Sequence, residues 1–387
     1  MWSYLQVLHL PILRYILVLL VLTSAILPLD GTCVTDAAFR DETIRIAIVK
    51  AASEVTVAGN GILVTGDSGE AVILSLPVSV KPFKDGLIAE GKLYRSLIFS
   101  ASSAVLVNNK PYRGQAELSY SERGILVVNK LPLEDYLVGL INSEISSAWP
   151  IEAVKAQAVI ARTYALNRKA SRAKALYHLE STVIDQVYDG YLIEDSRARR
   201  AVSETEGEVL SYGGAVIQAF YHSVCGGKTE SAENVWGASL AYLKGVDCQY
   251  CLTSSSASAW VQKLPLIEIE ERLRVSGHKI SGLTDIKPGA QNSRGRLKQV
   301  VLVASKGSLA LSGDQFRKAL GYGVIKSTRF TIKVSQGEAS FSGIGNGHGV
   351  GLCQWGAKRR SLDGFGYGEI LSYYYPGTEL KKFSDIR

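Results

Sequence analysis

The 387-residue chain is poor in cysteine, with five residues, too few for a disulfide-framework miniprotein. It has no internal repeat and no low-complexity tract, which argues against repeat-fibre and collagen-like chains. No HExxH helix and no GxSxG elbow occur, so two common hydrolase signatures are missing. A phosphate-binding loop is missing as well. Gly226-Gly227-Lys228-Thr229 resembles its end, but His222 stands where the first glycine belongs. Gly345, Gly347, Gly349 and Gly351 alternate, yet Val350, Leu352 and Gln354 fall where GxGxxG would close. Nucleotide binding and serine-esterase chemistry lose support accordingly. What the chain does contain is an ordinary globular balance of 47% hydrophobic and 20% charged residues, at a length suited to two or three domains. Its net charge of +7 gives a basic surface, compatible with an acidic polymer without selecting one.

No apolar run reaches the roughly 20 residues of a helical membrane span. Tyr15–Leu29 is uncharged, follows Arg14 and ends at Asp30. That length and basic flank suit the core of a secretory signal, with Thr23 and Ala25 as small residues before a cleavage point. Residues 1–30 are therefore expected to be a cleaved signal or an uncleaved amino-terminal anchor. Either places the remainder outside the cytoplasm, touching the membrane only through this segment. Cys33 lacks the preceding leucine and small residue of a lipoprotein site.

Residues 37–100 are expected to form a β-rich region, followed by a second unit over 101–382. Ile44–Val49 alternates, and short apolar runs such as Val55–Val57, Ile62–Val64 and Val105–Val107 are separated by Gly- and Asn-rich turns. The period then changes. Glu134–Ile141 reads as a short helix with acids in its first turn, broken around Asn142–Ser147. Trp149-Pro150 opens a longer helix with an apolar stripe at Ile151, Val154, Ala158, Ala161 and Ala165. Lys155 and Arg162 share one line along it. The expected fold class is α+β, mostly β, with this helical pair packed on the sheet.

Four clusters carry candidate chemistry. Glu144 lies at the helix break beside Trp149, where desolvation would raise its pKa toward general-acid use. Thr182–Tyr188 contains Asp185 and Gln186 between apolar residues. His222-x2-Cys225 and Cys248-x2-Cys251 offer four ligands suited to a structural zinc. Export favours instead a disulfide from Cys225 to Cys248 or Cys251, and both readings stand. Gly345–Trp355 places His348, Cys353 and Gln354 on a glycine-rich loop that lets backbone approach a ligand.

Taken in order, these segments resemble the stage II sporulation protein D family, also called SpoIID/LytB or the amidase-enhancer domain. The matching runs include Leu131–Leu137, Glu144, Trp149-Pro150, Lys155–Ala158, Ala161–Ala165 and Asp185–Tyr188. They continue through His222-Ser223, Gly226–Glu230, Glu233–Gly237, Ser293–Arg296, Ser327–Phe330, Gly347–Ala357 and Tyr374–Thr378. The resemblance implies a lytic transglycosylase acting on peptidoglycan glycan strands, with Glu144 as catalytic acid and Arg162 helping to hold the glycan. Gln186, His222, His348 and Gln354 fall in matching motifs as further substrate-binding candidates. Some members bind zinc just before the Asp-Gln-x-Tyr segment. This chain has His178 there but no cysteine, so that site does not transfer.

One carboxylate suffices for that reaction. It protonates the glycosidic oxygen, then takes a proton from the sugar's own 6-hydroxyl. No cofactor is required for catalysis. Two other readings stay open: a non-catalytic amidase enhancer that binds peptidoglycan and works through a cell-wall amidase, and a muramidase-type hydrolase pairing Glu144 with Asp185. Nothing in the sequence calls for nucleic acid.

Overall fold

The computed structural model describes residues 42–253 and 258–386. The expected signal or anchor over 1–30, and Cys33, lie outside the described residues. No helix among the described residues is long and apolar enough to cross a membrane. The fold is α+β and mostly β.

The alternating runs become strands, as their period-2 burial requires. Thr43–Ala52 pairs antiparallel with Gly124–Pro132, which pairs antiparallel with Gln115–Ser121. These belong to a seven-stranded sheet that also takes in Leu63–Thr65, Ala71–Val72 and Ser96–Ser100, with Leu179–Glu180 parallel at its edge. A six-stranded antiparallel sheet runs through Val55–Ala58, Val78–Phe83, Gly86–Ala89, Lys92–Tyr94, Val105–Val107 and Lys110–Tyr112. Residues of both sheets share one core, in which Ile46, Val57, Val80, Phe99 and Leu118 are buried. The seven-stranded sheet crosses residue 100 without interruption, because Ser96–Ser100 pairs with Gln115–Ser119.

Two helices follow. Helix α1 (Leu133–Glu144) carries Glu134 and Asp135 in its first turn, where the dipole favours acids. It is longer than the sequence indicated, so Glu144 is its last residue rather than part of a loop. Helix α2 (Ile151–Ser171) starts after Pro150, with Glu152 in its first turn and Arg168 and Lys169 in its last. The apolar stripe read from the sequence is only one of its buried faces. Val154, Ala158, Ala161 and Ala165 enter the first core, while Ala156, Val159 and Ile160 enter a second. Small residues allow this, because both cores can approach the helix closely. The second core holds Leu210, Val350, Leu352, Ile370 and Leu371 with four cysteines.

A third core, around Trp260, Ile269, Phe316, Phe330 and Phe341, was not evident in the sequence. It is built from two three-stranded sheets and the helices Leu266–Val275 and Gly313–Leu320. Ala215–Val216 and Tyr221–His222 form two separate short strands. The second piece pairs in parallel with Leu352–Cys353. That pairing joins the His222 segment to the glycine-rich loop.

Candidate functional site

The bend after Glu144 is fixed by side chains. Ile145 leaves the helix in an extended conformation, with φ −144° and ψ 163°. Asn142 Oδ1 accepts the Ser147 N–H at 2.8 Å, while Asn142 Nδ2 donates to Asp195 Oδ2 and to the Ile193 carbonyl, both at 2.9 Å. These bonds hold Glu144 toward the Asp185–Tyr188 segment.

Glu144 Oε1 accepts the Val187 N–H at 2.8 Å. The Tyr221 hydroxyl and the Gln354 amide also hydrogen-bond the carboxyl group. Gln186 Nε2 donates to the Tyr221 oxygen at 3.1 Å, which leaves the Tyr221 proton for Glu144. Gln186 Oε1 in turn accepts from the Tyr136 hydroxyl at 3.0 Å. Gln354 Nε2 donates to Gln157 Oε1 at 3.3 Å. Burial pushes the Glu144 pKa up to about 7, and the bonds from Val187, Tyr221 and Gln354 only partly oppose it. Burial also raises Tyr136 and Tyr221 well above the usual phenol range, so both remain proton donors. Glu144 itself stays partly open to solvent. The site thus presents one carboxyl group, on a half-buried residue, whose burial raises its pKa to about 7.

The glycine-rich loop lies against the Tyr221–His222 strand. Gly347, at φ +109°, approaches so closely that an added Cβ would meet the His222 Cβ at 2.6 Å. At Gly351 an added Cβ would stand 1.9 Å from the Phe220 carbonyl oxygen. His348 Nδ1 accepts the Val350 N–H at 3.0 Å, and its ring also bonds the Tyr221 backbone. Burial, then the nearby His222, Arg317 and Arg296, hold its pKa well below the imidazole range. His348 packs on Trp236 (centroids 5.0 Å apart), which is 42% exposed, and Phe220 lies 4.5 Å from the same indole. A second aromatic pair, Trp149 and Trp355 at 5.1 Å, has Lys358 over both rings. Trp149 follows the bend after Glu144, and Trp355 follows Gln354.

Three sequence-derived assignments need correction. Arg162 does not reach the site. It is fully buried, with Nε and Nη2 each 2.7 Å from the Glu134 carboxylate and further bonds to the Glu208 and Val202 carbonyls. An arginine without solvent exposure must be paired internally, and these groups do so. Asp185 is equally occupied. It sits between Arg168 (3.1 Å) and Arg172 (2.8 Å) and accepts from the Tyr164 hydroxyl and the Glu180 N–H, both at 3.0 Å. Burial pushes its pKa up, but these hydrogen bonds and Arg172 bring it below the usual carboxylate range. His222 is the third. It is buried, but its Nδ1 lies 3.1 Å from the Val350 carbonyl, and it is not among the sulfur ligands. The fourth member of the cluster is Cys353. The Sγ atoms of Cys225, Cys248, Cys251 and Cys353 all lie within 4.8 Å of one another, and all four residues are buried. The parallel pairing of Tyr221–His222 with Leu352–Cys353 brings this distant cysteine in.

Gln186 and Gln354, both substrate-binding candidates in the sequence, lie at Glu144, Gln354 bonding it directly and Gln186 through Tyr221. Sequence reasoning missed Tyr221, Tyr136, Gln157 and the Val187 N–H. Tyr221 lay within the His222 motif, and that adjacency was the available signal.

Residues 121–212, which include Glu144 and Gln186, match the family model described as Stage II sporulation protein. The chain is 32% identical over 297 residues to an uncharacterised protein of Brachyspira hyodysenteriae, covering 76% of this chain and 79% of that one. It is also 32% identical over 291 residues to the amidase enhancer of Bacillus subtilis, covering 64% of this chain and 40% of that longer protein. Identity to the stage II sporulation protein D of Bacillus subtilis is 28% over 270 residues, covering 66% of this chain and 76% of that protein.

Proposed function

The chain belongs to the stage II sporulation protein D (SpoIID/LytB) family, and from that premise we propose that it is a lytic transglycosylase of peptidoglycan glycan strands. The family's link is to the cell wall, which agrees with an extracytoplasmic place of work. The observation that carries the catalytic reading is Glu144, a carboxyl group raised to about 7 by burial and held by Val187, Tyr221 and Gln354.

In the proposed reaction protonated Glu144 gives its proton to the glycosidic oxygen as the bond from that oxygen to C1 breaks. The carboxylate then accepts the proton of the 6-hydroxyl on the same muramic sugar, whose oxygen bonds to C1. Glu144 returns to its protonated state and no water is consumed. The Val187 N–H and the Tyr221 hydroxyl keep the carboxyl group in place through both transfers. Trp236, packed on His348, and the Trp149–Trp355 pair, in which Trp355 directly follows Gln354, offer apolar rings suited to the C–H faces of sugars. A hydrolase needs a second free carboxylate. Asp185, the candidate for that role, is already held by two arginines.

The test is mass spectrometry of the products formed from peptide-free glycan strands. Fragments one water lighter, with anhydro-muramic ends, are expected, and Glu144→Gln should abolish them in a protein that still folds. Reducing-end fragments would move the assignment to the hydrolase. A folded, glycan-binding protein that yields no fragments would favour a second reading, stimulation of a cell-wall amidase. The 32% identity to a protein named amidase enhancer supports that reading.

A further inference from the structure

We infer that Cys225, Cys248, Cys251 and Cys353 form a closed four-thiolate zinc site that locks together two of the three segments bonding Glu144. Four sulfurs converge here on one point, all buried and all within 4.8 Å of one another. Tetrahedral zinc with bonds of about 2.3 Å sets its sulfurs roughly 3.8 Å apart, inside that spread. A cluster of four soft ligands selects zinc or iron over magnesium or calcium. With no position left for water or substrate, the site is structural.

The surroundings suit thiolates. The N–H groups of Cys225 and Gly356 point to Cys353 Sγ at 3.3 and 3.4 Å, and the Tyr374 hydroxyl lies 3.1 Å from Cys248 Sγ. Such donors around the sulfurs are the usual outer shell of a metal site. Four thiolates and one dication leave an excess of negative charge. Arg296, 2% exposed, reaches the cluster and donates from Nη2 to the Cys225 carbonyl at 3.0 Å. Its other side is near Glu230, at 3.9 Å.

The position of the ligands gives the site its consequence. Cys225 follows the strand that carries Tyr221, and Cys353 immediately precedes Gln354. Both Tyr221 and Gln354 bond Glu144. A metal held between Cys225 and Cys353 therefore fixes the spacing of these two partners. The metal assignment stands on the sulfur geometry and is independent of the reaction proposed for Glu144.

The experiment is metal analysis of the full chain purified anaerobically, with cobalt exchanged into a parallel sample. About one zinc per chain is expected, and the cobalt form should show the thiolate-to-metal charge-transfer bands of a tetrahedral sulfur site. Cys353→Ser should lower bound metal by roughly tenfold or more. His222→Ala should leave the metal content unchanged, and Cys353→His, which restores a ligand, should retain zinc. These two variants keep the test decisive if Cys353→Ser fails to fold. Chelation should lower the melting temperature whether or not glycan is cleaved. Thiols that bind neither zinc nor cobalt, cysteines paired as disulfides, or iron in place of zinc would overturn the inference. So would loss of zinc in His222→Ala with retention in Cys353→Ser.

Discussion

At the residue scale Glu144 governs the pH response. Its pKa of about 7 lies above the ordinary value of 4.5, so the folded state favours the protonated form. The proposed reaction begins from that form, and kcat/KM on glycan strands should fall above about pH 7. The sign for stability follows from the same shift. The stabilisation is fully present below the unfolded pKa and is lost as pH rises through the folded one. Glu144→Gln removes the ionisation, so it should exceed the parent in stability above pH 7, by about 1–3 kcal/mol, and match it near pH 4. Thermal melts across this range measure the difference, and a pH-independent offset would refute the assigned pKa. Glu144 and Gln354 could be read from the sequence because local motifs surround them. Tyr221 and the Val187 N–H could not, because each reaches Glu144 from a segment more than forty residues further along the chain. Cys353 was seen as part of a glycine-rich loop, but no spacing tied it to Cys248-x2-Cys251.

At the scale of elements, α2 separates two roles that the sequence placed together. Its cations Lys155 and Arg162 are both engaged in structure, Lys155 with Glu152 and Glu204 and Arg162 with Glu134. The Arg162–Glu134 pair ties α2 to α1, the helix that ends on Glu144. Arg162→Met should therefore cost stability, on the order of 3 kcal/mol. That is the low end for buried pairs, since the Glu134 side chain keeps 21% of its surface exposed. The folded fraction should bind glycan with unchanged affinity. A stable variant with weakened glycan binding would return Arg162 to the substrate site. The helix itself was legible because a 3/4-spaced apolar stripe survives in any helix that packs on a sheet. Its second buried face was not, since Ala156, Val159 and Ile160 lie off that stripe and one stripe suffices for a helix packed on a single sheet.

At the scale of the molecule, the three cores are coupled unequally. Helix α2 contributes side chains to the first and second cores, so neither can open without exposing the other. The third core draws on no residue of α2. It meets the cysteine segments through polar contacts that include Arg296 on the Cys225 carbonyl, Arg329 on the Gly226 carbonyl at 2.6 Å and a backbone pair between Val224 and Asn346. Opening free energies track the apolar surface exposed by each cooperative unit, and the joined pair buries far more than the third core alone. Hydrogen exchange should therefore divide the protein in two. Amides of α2 and of Gly124–Pro132 should exchange together through the rarest opening, while Glu338–Ile344 exchanges through a separate and more frequent one. Both regions exchanging at a single common free energy would mean that these polar contacts couple the third core to the other two as tightly as α2 couples those two. The two-core arrangement also explains why Glu144 can remain partly open to solvent yet hold a raised pKa. Its helix is anchored in the first core, while Tyr221 and Gln354 approach from segments of the second, so the carboxyl group lies on the seam between two masses that cannot move apart independently.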